Sequence, residues 1–470
     1  MKAFKLKISE LGNWQMTLPL AIAAYALLLF FFSSLRHALF HSGALDLGYH
    51  DQVLYLLSID KPPIISFWGY HFLGGHAEWI YYILQGLYRI YPDVHLLFAI
   101  QAVSLSIAAW PIVKLARQAG LNRQQVRTIA IAYWLYPLIF NINLFDFHPE
   151  VIAVPLILTS VWSARARKPV VFAIATTLIL GCRASLSLLV TFMGLWLILF
   201  EKRRIYGIYA LISGSLWFLI FTRILVPIFK PDGYHAISRY GELGDSIAEA
   251  IANLFLRPDI AVRQLFTLAN LEYLILLFIP VLWGISVRYL APLLAALPIL
   301  GMNLLTSYTG QKDLIHQYSL PIVPFLMIMS IGTMASEKGL FKQNRWIIAW
   351  TLVVFMALAK FGYFWSLYLE NIDTVVATRQ AVEKVETKGG VLTSSRILPH
   401  LSHRKLIHII SPNSLSENLG IYQYVLLNLD HAHPDEGGYE TFKGLQFRLA
   451  EEEDFELIFA RDSVYLFEKI

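Results

Sequence analysis

Apolar stretches of about 20 residues recur along most of this chain, and each is long enough to cross a lipid bilayer. The first, LPLAIAAYALLLFFFSSL, follows the basic start MKAFKLK. Hydrophobic residues make up 57% of the 470 residues and charged residues only 15%, whereas soluble proteins carry about 25% charged residues. This pattern predicts a multi-pass membrane protein. The first apolar run lacks a clean small-residue cleavage site, so we expect it to remain as an anchor.

Lysine and arginine gather in short loops between the apolar stretches, as is typical of loops that face the cytoplasm. These basic loops are residues 2–7, 114–127, 165–168, 201–204, 288 and 337–345. They predict about eleven spans, with the N-terminus in the cytoplasm and the C-terminus outside. The net charge of +5 belongs to these loops, so it does not indicate nucleic-acid binding. The only cysteine, Cys182, excludes an internal disulfide.

The last hundred residues are more polar than the rest of the chain. Helical patterns, TVVATRQAVEKVE and YETFKGLQFRLAEEE, alternate with strand-like segments such as KLIHII, YVLLNL and FELIFARDSVYLFEK. The fold class is therefore an all-α polytopic membrane domain with a small extracytoplasmic α/β domain. We place the membrane domain at 1–370, with a large first outer loop at 41–80, and the soluble domain at 371–470. The soluble domain has no Gly-rich nucleotide-binding motif, so we assign it no nucleotide chemistry.

Two carboxylates stand five positions apart in the first outer loop. Asp46 and Asp51 lie in LDLGYHDQ, beside His50, in a loop that is otherwise apolar and aromatic. Such carboxylates can act as a general base toward an acceptor hydroxyl, or as metal ligands. A helix cap and a solvated loop acid would explain the same residues structurally. The residue pattern alone leaves these explanations open.

The same outer loop continues into YHFLGGHAEW, which carries two histidines and a glutamate at loose spacing. A divalent metal such as zinc or manganese can be held by imidazole and carboxylate ligands of this kind. The candidate ligands are His71, His76 and Glu78. Histidines with structural partners at the membrane interface are the other explanation, and a divalent metal is the only cofactor that the sequence suggests.

The stretch NLFDFHPEVIAVP places three ionisable side chains between apolar segments. Asp146, His148 and Glu150 occupy alternate positions, so an extended segment would point all three the same way. Pro149 can begin the next helix with Glu150 in its first turn, which gives Glu150 a structural explanation. Ionisable groups at a membrane edge are functional candidates. We interpret the three as a polar wall of a binding or catalytic cavity.

Arg183 lies at the predicted outer turn between two short apolar spans, where it needs an anionic partner. A lipid phosphate would suit a guanidinium group, and an ion pair with Asp146, Glu150 or an outer-loop acid would suit it equally. The segment YTGQKDLIHQYSLPIVPF adds a second outward-facing polar set: Lys312, His316 and Tyr318.

Several of these segments together resemble a widespread bacterial family of multi-pass membrane proteins. They are LDLGYHDQ, YHFLGGHAEW, NLFDFHPEVIAVPLIL, HQYSLPIVPFL and YQYVLLNLD, and DFHPE is the most specific element. That family is similar in layout to the GT-C glycosyltransferases, which include protein mannosyltransferases and aminoarabinose transferases. The resemblance implies a polyprenyl-phosphate sugar donor, Asp46 or Asp51 as the catalytic carboxylate, and Arg183 or Lys312 at the donor phosphate. The chain lacks the adjacent Asp-Glu pair that many of these enzymes carry in the first outer loop.

These observations lead to a membrane glycosyltransferase as the first hypothesis, with direct, inverting displacement of a lipid phosphate from the sugar. Its partners would be a polyprenyl-phosphate sugar, membrane lipids and no nucleic acid, in a bacterial plasma or internal membrane. A non-catalytic accessory or assembly subunit is the alternative, with the C-terminal domain binding a protein partner. A transporter is disfavoured because the ionisable groups are predicted to cluster on one face instead of lining a path.

Overall fold

The computed structural model describes residues 2–231, 233 and 235–470, with side chains from residue 17 onward except at 235. The first half of the helical part begins with the longest helix and contains α1 (Lys2–Ala38), α2 (Tyr49–Ser58), α3 (Tyr81–Ile90), α4 (Val94–Ile107), α5 (Ala109–Gln118), α6 (Arg123–Trp134), α7 (Pro137–Leu144), α8 (Glu150–Arg165) and α9 (Pro169–Cys182). A short antiparallel pair, β1 (Ile64–Ile65) and β2 (Tyr70–His71), lies between α2 and α3. Side-chain caps begin several of these helices, as where Asn122 and Gln125 form a capping box at α6.

The second half of the helical part contains shorter and more often interrupted helices. They are α10 (Leu186–Leu199), α11 (Arg204–Ile220), α12 (Val226–Phe229), α13 (Ile247–Leu256), α14 (Pro258–Leu265), α15 (Leu268–Phe278), α16 (Leu293–Leu305), α17 (Val323–Ala335) and α18 (Asn344–Leu358). Because α9 and α10 are separate helices with Arg183 between them, the segment 169–200 has the two-helix form that its flanking basic loops predicted.

Four helical stretches of the described residues are long and apolar enough to cross a membrane: Thr17–Ala38, Val94–Gln118, Arg204–Phe229 and Thr309–Ala335. Two bent pairs raise the number to six: Pro258–Leu265 with Leu268–Gly284, and Asn344–Leu358 with Lys360–Leu369. The remaining apolar helices are shorter, and the 14 residues of α10 extend only about 21 Å. The structure therefore supports fewer full-length spans than the eleven predicted. The positions of basic loops indicate where the chain turns back, but they do not indicate how long the helices between the turns are.

Close backbone contacts hold α10 against α11. A Cβ added to Gly194 would lie 2.5 Å from the backbone nitrogen of Leu211, and one added to Gly207 would lie 2.6 Å from the carbonyl oxygen of Gly194. Small residues permit this approach between helices in a bilayer, where packing replaces the hydrophobic effect as the main attraction. This pair of helices continues the antiparallel series from α8, so successive basic loops lie at one end of the bundle.

The C-terminal part is a three-layer α/β unit. Its sheet contains β3 (Val391–Thr393), β4 (Ile407–Ile409), β5 (Tyr424–Asn428), β6 (Phe455–Arg461) and β7 (Val464–Lys469), flanked by α19 (Ile372–Glu383) and α20 (Gly438–Glu451). The strand order is β4-β3-β5-β7-β6, parallel among the first three and antiparallel thereafter. Alternate residues of β5 enter opposite cores, since Leu426 packs on the α19 side and Leu427 on the α20 side. The expected fold class, a helical membrane protein with a small C-terminal α/β part, is confirmed.

The segment that follows α1 is built into the core of the C-terminal unit. Phe40 and Ala44 pack with the residues on the α19 side of the sheet. The Ala44 N–H donates to Ser395 Oγ at 3.1 Å, and Ser66 Oγ donates to the carbonyl of Ile407 at 2.6 Å. The C-terminal unit therefore covers the segment that carries Asp46 and lies at the α1 C-terminal end of the helical bundle.

Candidate functional site

The polar centre forms where the end of α1 meets the DFHPE segment between α7 and α8. Asp146 accepts hydrogen bonds from the Arg36 guanidinium and from the Gly43 N–H, the latter at 2.9 Å. The backbone of Asp146 has φ 94°, a conformation that non-glycine residues rarely adopt and that surrounding contacts must stabilise. This bend replaces the extended segment expected from the sequence, and the three ionisable side chains of the motif take three different partners.

Asp46 pairs with the histidine of the motif. His148 Nε2 lies 3.1 Å from Asp46 Oδ1, with the histidine side chain 3% exposed and the aspartate side chain 30% exposed. Burial alone would lower the pKa of His148, but the hydrogen bond to Asp46 and the charges of Asp46 and Glu150 raise it overall. Asp46 is therefore a carboxylate that an imidazole orients from the buried side and that remains open on its other side.

Glu150 pairs with Arg183 across the start of α8 and the turn between α9 and α10. The two side chains form a buried ion pair, and Arg183 Nη2 also lies 3.3 Å from His76 Nε2. Of the anionic partners that the sequence left open for Arg183, the structure provides Glu150. Glu150 is also in the first turn of α8, which agrees with its structural explanation.

Two further cationic residues, Arg239 and Lys230, lie near the ion pair of Glu150 and Arg183. Burial lowers the pKa of His76, and the positive charges of Arg183, Arg239 and Lys230 lower it further. The centroid of the Tyr318 ring lies 5.8 Å from the Arg183 guanidinium group and 5.5 Å from that of Arg239. Arg239 also donates to the Tyr318 hydroxyl at 3.0 Å. The side chains of Arg183, Arg239 and Lys230 thus bring three cationic groups close to His76, a cluster that suits an anion.

The candidates from the HQY segment fall into two groups. His316 bonds to Asp313 and packs edge-on against Phe145, which in turn stacks on His148. Together with Tyr318, His316 thus joins the polar centre through aromatic contacts. Lys312 ends a short helical turn and is half-buried. Within the described part of the chain Lys312 makes no ion pair, and the structure gives it no contact with Asp46 or Arg183.

A buried layer of aromatic and acidic side chains supports the centre from within the 41–80 segment. Tyr49 donates to Glu78 Oε2 at 2.9 Å, and burial raises the pKa of Glu78 to about 8. His50 bonds to Tyr81 and packs edge-on against the His148 ring. Burial lowers the pKa of His50. His50 therefore serves as a neutral support for His148.

The metal candidates from the outer loop are not assembled into a site. His71 stacks on Phe229 with ring centroids 4.5 Å apart, and its Nδ1 accepts from the Leu73 N–H, while His76 and Glu78 contact Arg183 and Tyr49 respectively. Among the residues whose side chains are described, no group of three or more His, Cys, Asp or Glu could hold a metal ion.

Asp51 lies in an environment different from that of Asp46. Its side chain is 0% exposed and contacts Tyr88, Ser402 and His403, of which the last two belong to the C-terminal unit. Burial lowers the pKa of His403, and the charge and hydrogen bond of Asp51 more than offset this, so the pKa is raised. The sequence offered Asp46 and Asp51 as equal candidates, but only Asp46 has an open side.

A cavity of about 430 Å³ lies beside Asp51, between the helical bundle and the C-terminal unit. Histidines from both parts line it, and the His37 and His400 rings stack with centroids 3.9 Å apart. Burial lowers the pKa of His400 to about 3, so its ring is neutral at ordinary pH. The lining thus combines the neutral His400 ring with charged side chains, among them Asp51 and Arg379.

Three charged residues of the polar centre escaped the sequence analysis. Arg36 ends the first apolar run, a position where a basic residue has an ordinary explanation in the helix dipole and the membrane edge. Lys230 and Arg239 lie in a polar stretch without a recognisable motif. The sequence did contain one indication for Arg36. It lies in the last turn of the first apolar span, immediately upstream of the loop that carries Asp46.

Comparisons with known proteins support the fold. No curated protein matches the chain. Among solved structures, the crystal structure of ArnT from Cupriavidus metallidurans bound to undecaprenyl phosphate is similar, with a TM-score of 0.53 and 10% sequence identity. The match covers 97% of this chain and 98% of ArnT. At this identity the likeness concerns the fold alone, which this chain shares with ArnT.

The family resemblance read from the sequence is also tested by a family model. The model described as predicted membrane protein (DUF2079) matches residues 36–460, a range that includes Arg36, Asp46, the DFHPE segment and most of the C-terminal unit. The chain therefore belongs to the DUF2079 family of membrane proteins.

Proposed function

We propose that this protein is a membrane glycosyltransferase of the GT-C type that moves a sugar from a polyprenyl-phosphate donor to an acceptor hydroxyl. The observation that carries this proposal is Asp46, a half-open carboxylate held by a buried His148. A general base must reach the proton that it removes, and here a neighbouring imidazole fixes the carboxylate without enclosing it. The similarity of the fold to that of ArnT supports the same assignment.

In the reaction, Asp46 removes the proton of the acceptor hydroxyl while the resulting oxygen attacks the anomeric carbon of the donor sugar. A carbon–oxygen bond forms on one face of the sugar, and the bond to the phosphate oxygen breaks on the other. The polyprenyl phosphate leaves with the electron pair, and the anomeric configuration inverts. The raised pKa of His148 favours a protonated imidazole, which donates its Nε2 proton to the Asp46 carboxylate.

The departing phosphate needs positive charge, and the cation cluster supplies it. Arg239 and Lys230 complement Arg183, whose charge is partly balanced by Glu150. One guanidinium group can donate two parallel hydrogen bonds to a phosphate. Cations that are already in position also stabilise the negative charge that develops on a leaving group. We therefore assign the donor phosphate to Arg239 and Lys230 with Arg183, in place of Lys312.

We further propose that the site faces away from the cytoplasm. The basic loops at 165–168 and 201–204 lie at the far ends of α8 and α10 from Glu150 and Arg183. Loops rich in lysine and arginine stay in the cytoplasm. This puts Asp46 and the C-terminal unit on the outer side of a bacterial membrane, with the N-terminus inside.

One observation favours the second candidate function, a non-catalytic accessory subunit. Arg183 and Glu150 form a buried ion pair, and such a pair can be purely structural. An accessory role would use the exposed face of the C-terminal unit to bind a protein partner. It predicts that Asp46 tolerates substitution and that no polyprenyl phosphate binds.

The test compares Asp46→Asn with Asp60→Asn in proteoliposomes. Asp60 belongs to the same segment, is mostly exposed, and pairs at the surface with Arg89, so it controls for loss of one carboxylate. We expect transfer of labelled sugar from undecaprenyl-phosphate-linked donors to fall about 10²–10⁴-fold in Asp46→Asn, the usual contribution of a general base. Asp60→Asn should stay within about twofold of the unchanged protein.

Binding of undecaprenyl phosphate, measured separately, distinguishes the two functions. Retained binding with lost transfer in Asp46→Asn supports the base assignment. Unchanged transfer in Asp46→Asn would reject it. A protein that neither binds undecaprenyl phosphate nor transfers sugar would favour the accessory role.

A further inference from the structure

A second cavity, of about 470 Å³, lies at the opposite end of the bundle from Asp46. Its walls are largely apolar, with Trp196 from α10 and Ile328 and Ile331 from α17. Arg165 and Arg288 contribute positive charge at its edge. None of these residues takes part in the proposed transfer reaction, so the cavity needs an explanation of its own.

The distance between the two sites follows from α8. This helix begins at Glu150, in the polar centre, and ends at Arg165, at the cavity. Its 16 residues separate the ends by about 24 Å, which is close to the thickness of a bilayer core. The cavity therefore lies at the membrane surface that the basic loops occupy.

The two arginines of the cavity differ in their partners. Arg165 forms two parallel hydrogen bonds with Glu201, at 2.9 and 2.7 Å, so its charge is balanced. Arg288 is exposed and, within the described part of the chain, makes no ion pair or hydrogen bond through its side chain. The surrounding basic loops carry fourteen lysines and arginines against two glutamates. The cavity thus combines an unbalanced guanidinium group with a strongly cationic rim.

We propose that this cavity binds an anionic phospholipid from the membrane leaflet on that side. The headgroup phosphate would sit on Arg288, and an acyl chain would extend along the apolar wall toward Leu199 and Phe200, which are both exposed. Basic pockets between membrane helices bind anionic headgroups in this way. A guanidinium group also matches phosphate geometry better than an ammonium group does. A soluble anion would use the charge and leave the apolar wall unfilled.

The test titrates the full-length protein, purified in detergent, with phosphatidylglycerol and follows the bound species by native mass spectrometry. Arg288→Gln should weaken phosphatidylglycerol binding about tenfold, because one charge-assisted contact is lost. Arg345→Gln is the matched control: Arg345 is exposed on the same face, contacts Gln343 and Trp346, and lies outside the cavity. It should change the affinity by less than twofold.

The remaining arms identify the ligand class. Phosphatidylcholine should bind at least tenfold more weakly than phosphatidylglycerol, and inorganic phosphate at matched ionic strength should not compete. Equal effects of Arg288→Gln and Arg345→Gln would overturn the proposed site, because they would indicate general attraction to a cationic face. Equal binding of phosphatidylcholine, or competition by inorganic phosphate, would overturn the assignment to an anionic lipid. These readouts do not depend on the role of Asp46.

Discussion

Among single residues, Glu78 makes the clearest prediction about pH. It is fully buried, accepts a hydrogen bond from Tyr49, and has a pKa raised by burial from 4.5 to about 8. Between these two values the folded protein holds a proton that the unfolded chain has released. The free energy of unfolding therefore falls as the pH rises through this window, by at most about 1.4 kcal/mol per pH unit from this one group.

Replacing Glu78 with Gln should remove this contribution while keeping an acceptor for the Tyr49 hydroxyl. We expect the thermal stability of Glu78→Gln to decline less between pH 5 and 8 than that of the unchanged protein. Glu386→Gln, at an exposed position, controls for the change in net charge. Parallel pH profiles for the unchanged protein and Glu78→Gln would contradict the buried, proton-holding glutamate.

The sequence could nominate residues of the site but not their partners. Asp46, His148 and Arg183 stood out because ionisable groups are rare in so apolar a chain. The contact between Asp46 and His148, however, joins positions 102 apart in the chain. Only the packing of α1 against the later helices decides that Asp46 meets His148 while Asp51 turns toward the C-terminal unit.

At the scale of elements, the ion pair of Arg36 and Asp146 joins the end of α1 to the loop before α8. The Asp146 side chain is 1% exposed, so removing its partner leaves a buried charge. Arg36→Gln should lower the free energy of unfolding by about 3–5 kcal/mol. Adding Asp146→Asn should recover part of that loss, because asparagine is neutral and accepts the positive φ of this position. Denaturation of the single and double variants in one detergent gives the coupling energy.

Arg379→Gln is the control for the Arg36 and Asp146 variants. Arg379 is exposed and reaches the same end of α1 by a hydrogen bond to the Ala38 carbonyl, and among the described residues it forms no ion pair with an acid. We expect it to cost less than about 1 kcal/mol, as exposed polar contacts do. If Arg36→Gln lowered the free energy of unfolding no more than Arg379→Gln does, the Arg36–Asp146 pair would not hold the end of α1 to the loop before α8.

Local elements were predictable where local chemistry decides them. The strand-like segments KLIHII and YVLLNL contain β4 and β5, and FELIFARDSVYLFEK divides into β6 and β7. The division occurs at Asp462 and Ser463, which both have positive φ, a conformation that suits a tight hairpin turn. The number of spans was not predictable from basic loops, because the bends between α14 and α15 and after α18 depend on packing.

At the scale of the whole molecule, the C-terminal unit is fastened to the segment that carries Asp46. Asp51 is the buried centre of this attachment, since it accepts from Ser402 and Tyr88 and contacts His403. The unit and the Asp46 segment also share a hydrophobic core through Phe40. We therefore expect the C-terminal unit to hold the 41–80 segment in position, so that loosening the attachment disturbs the site indirectly.

Ser402→Ala tests this attachment with little change in volume. The variant leaves buried Asp51 without one donor, which costs about 1–3 kcal/mol. If this attachment opens as a unit, backbone amides around residues 398–409 should exchange with solvent roughly tenfold faster or more, since about 1.4 kcal/mol corresponds to a factor of ten. Ser416→Ala removes a hydroxyl that donates to the nearby Asn413 carbonyl, so it should leave exchange at residues 398–409 unchanged. Equal exchange in the two variants would mean that Asp51 does not fasten the C-terminal unit, and that the shared hydrophobic core around Phe40 holds it alone.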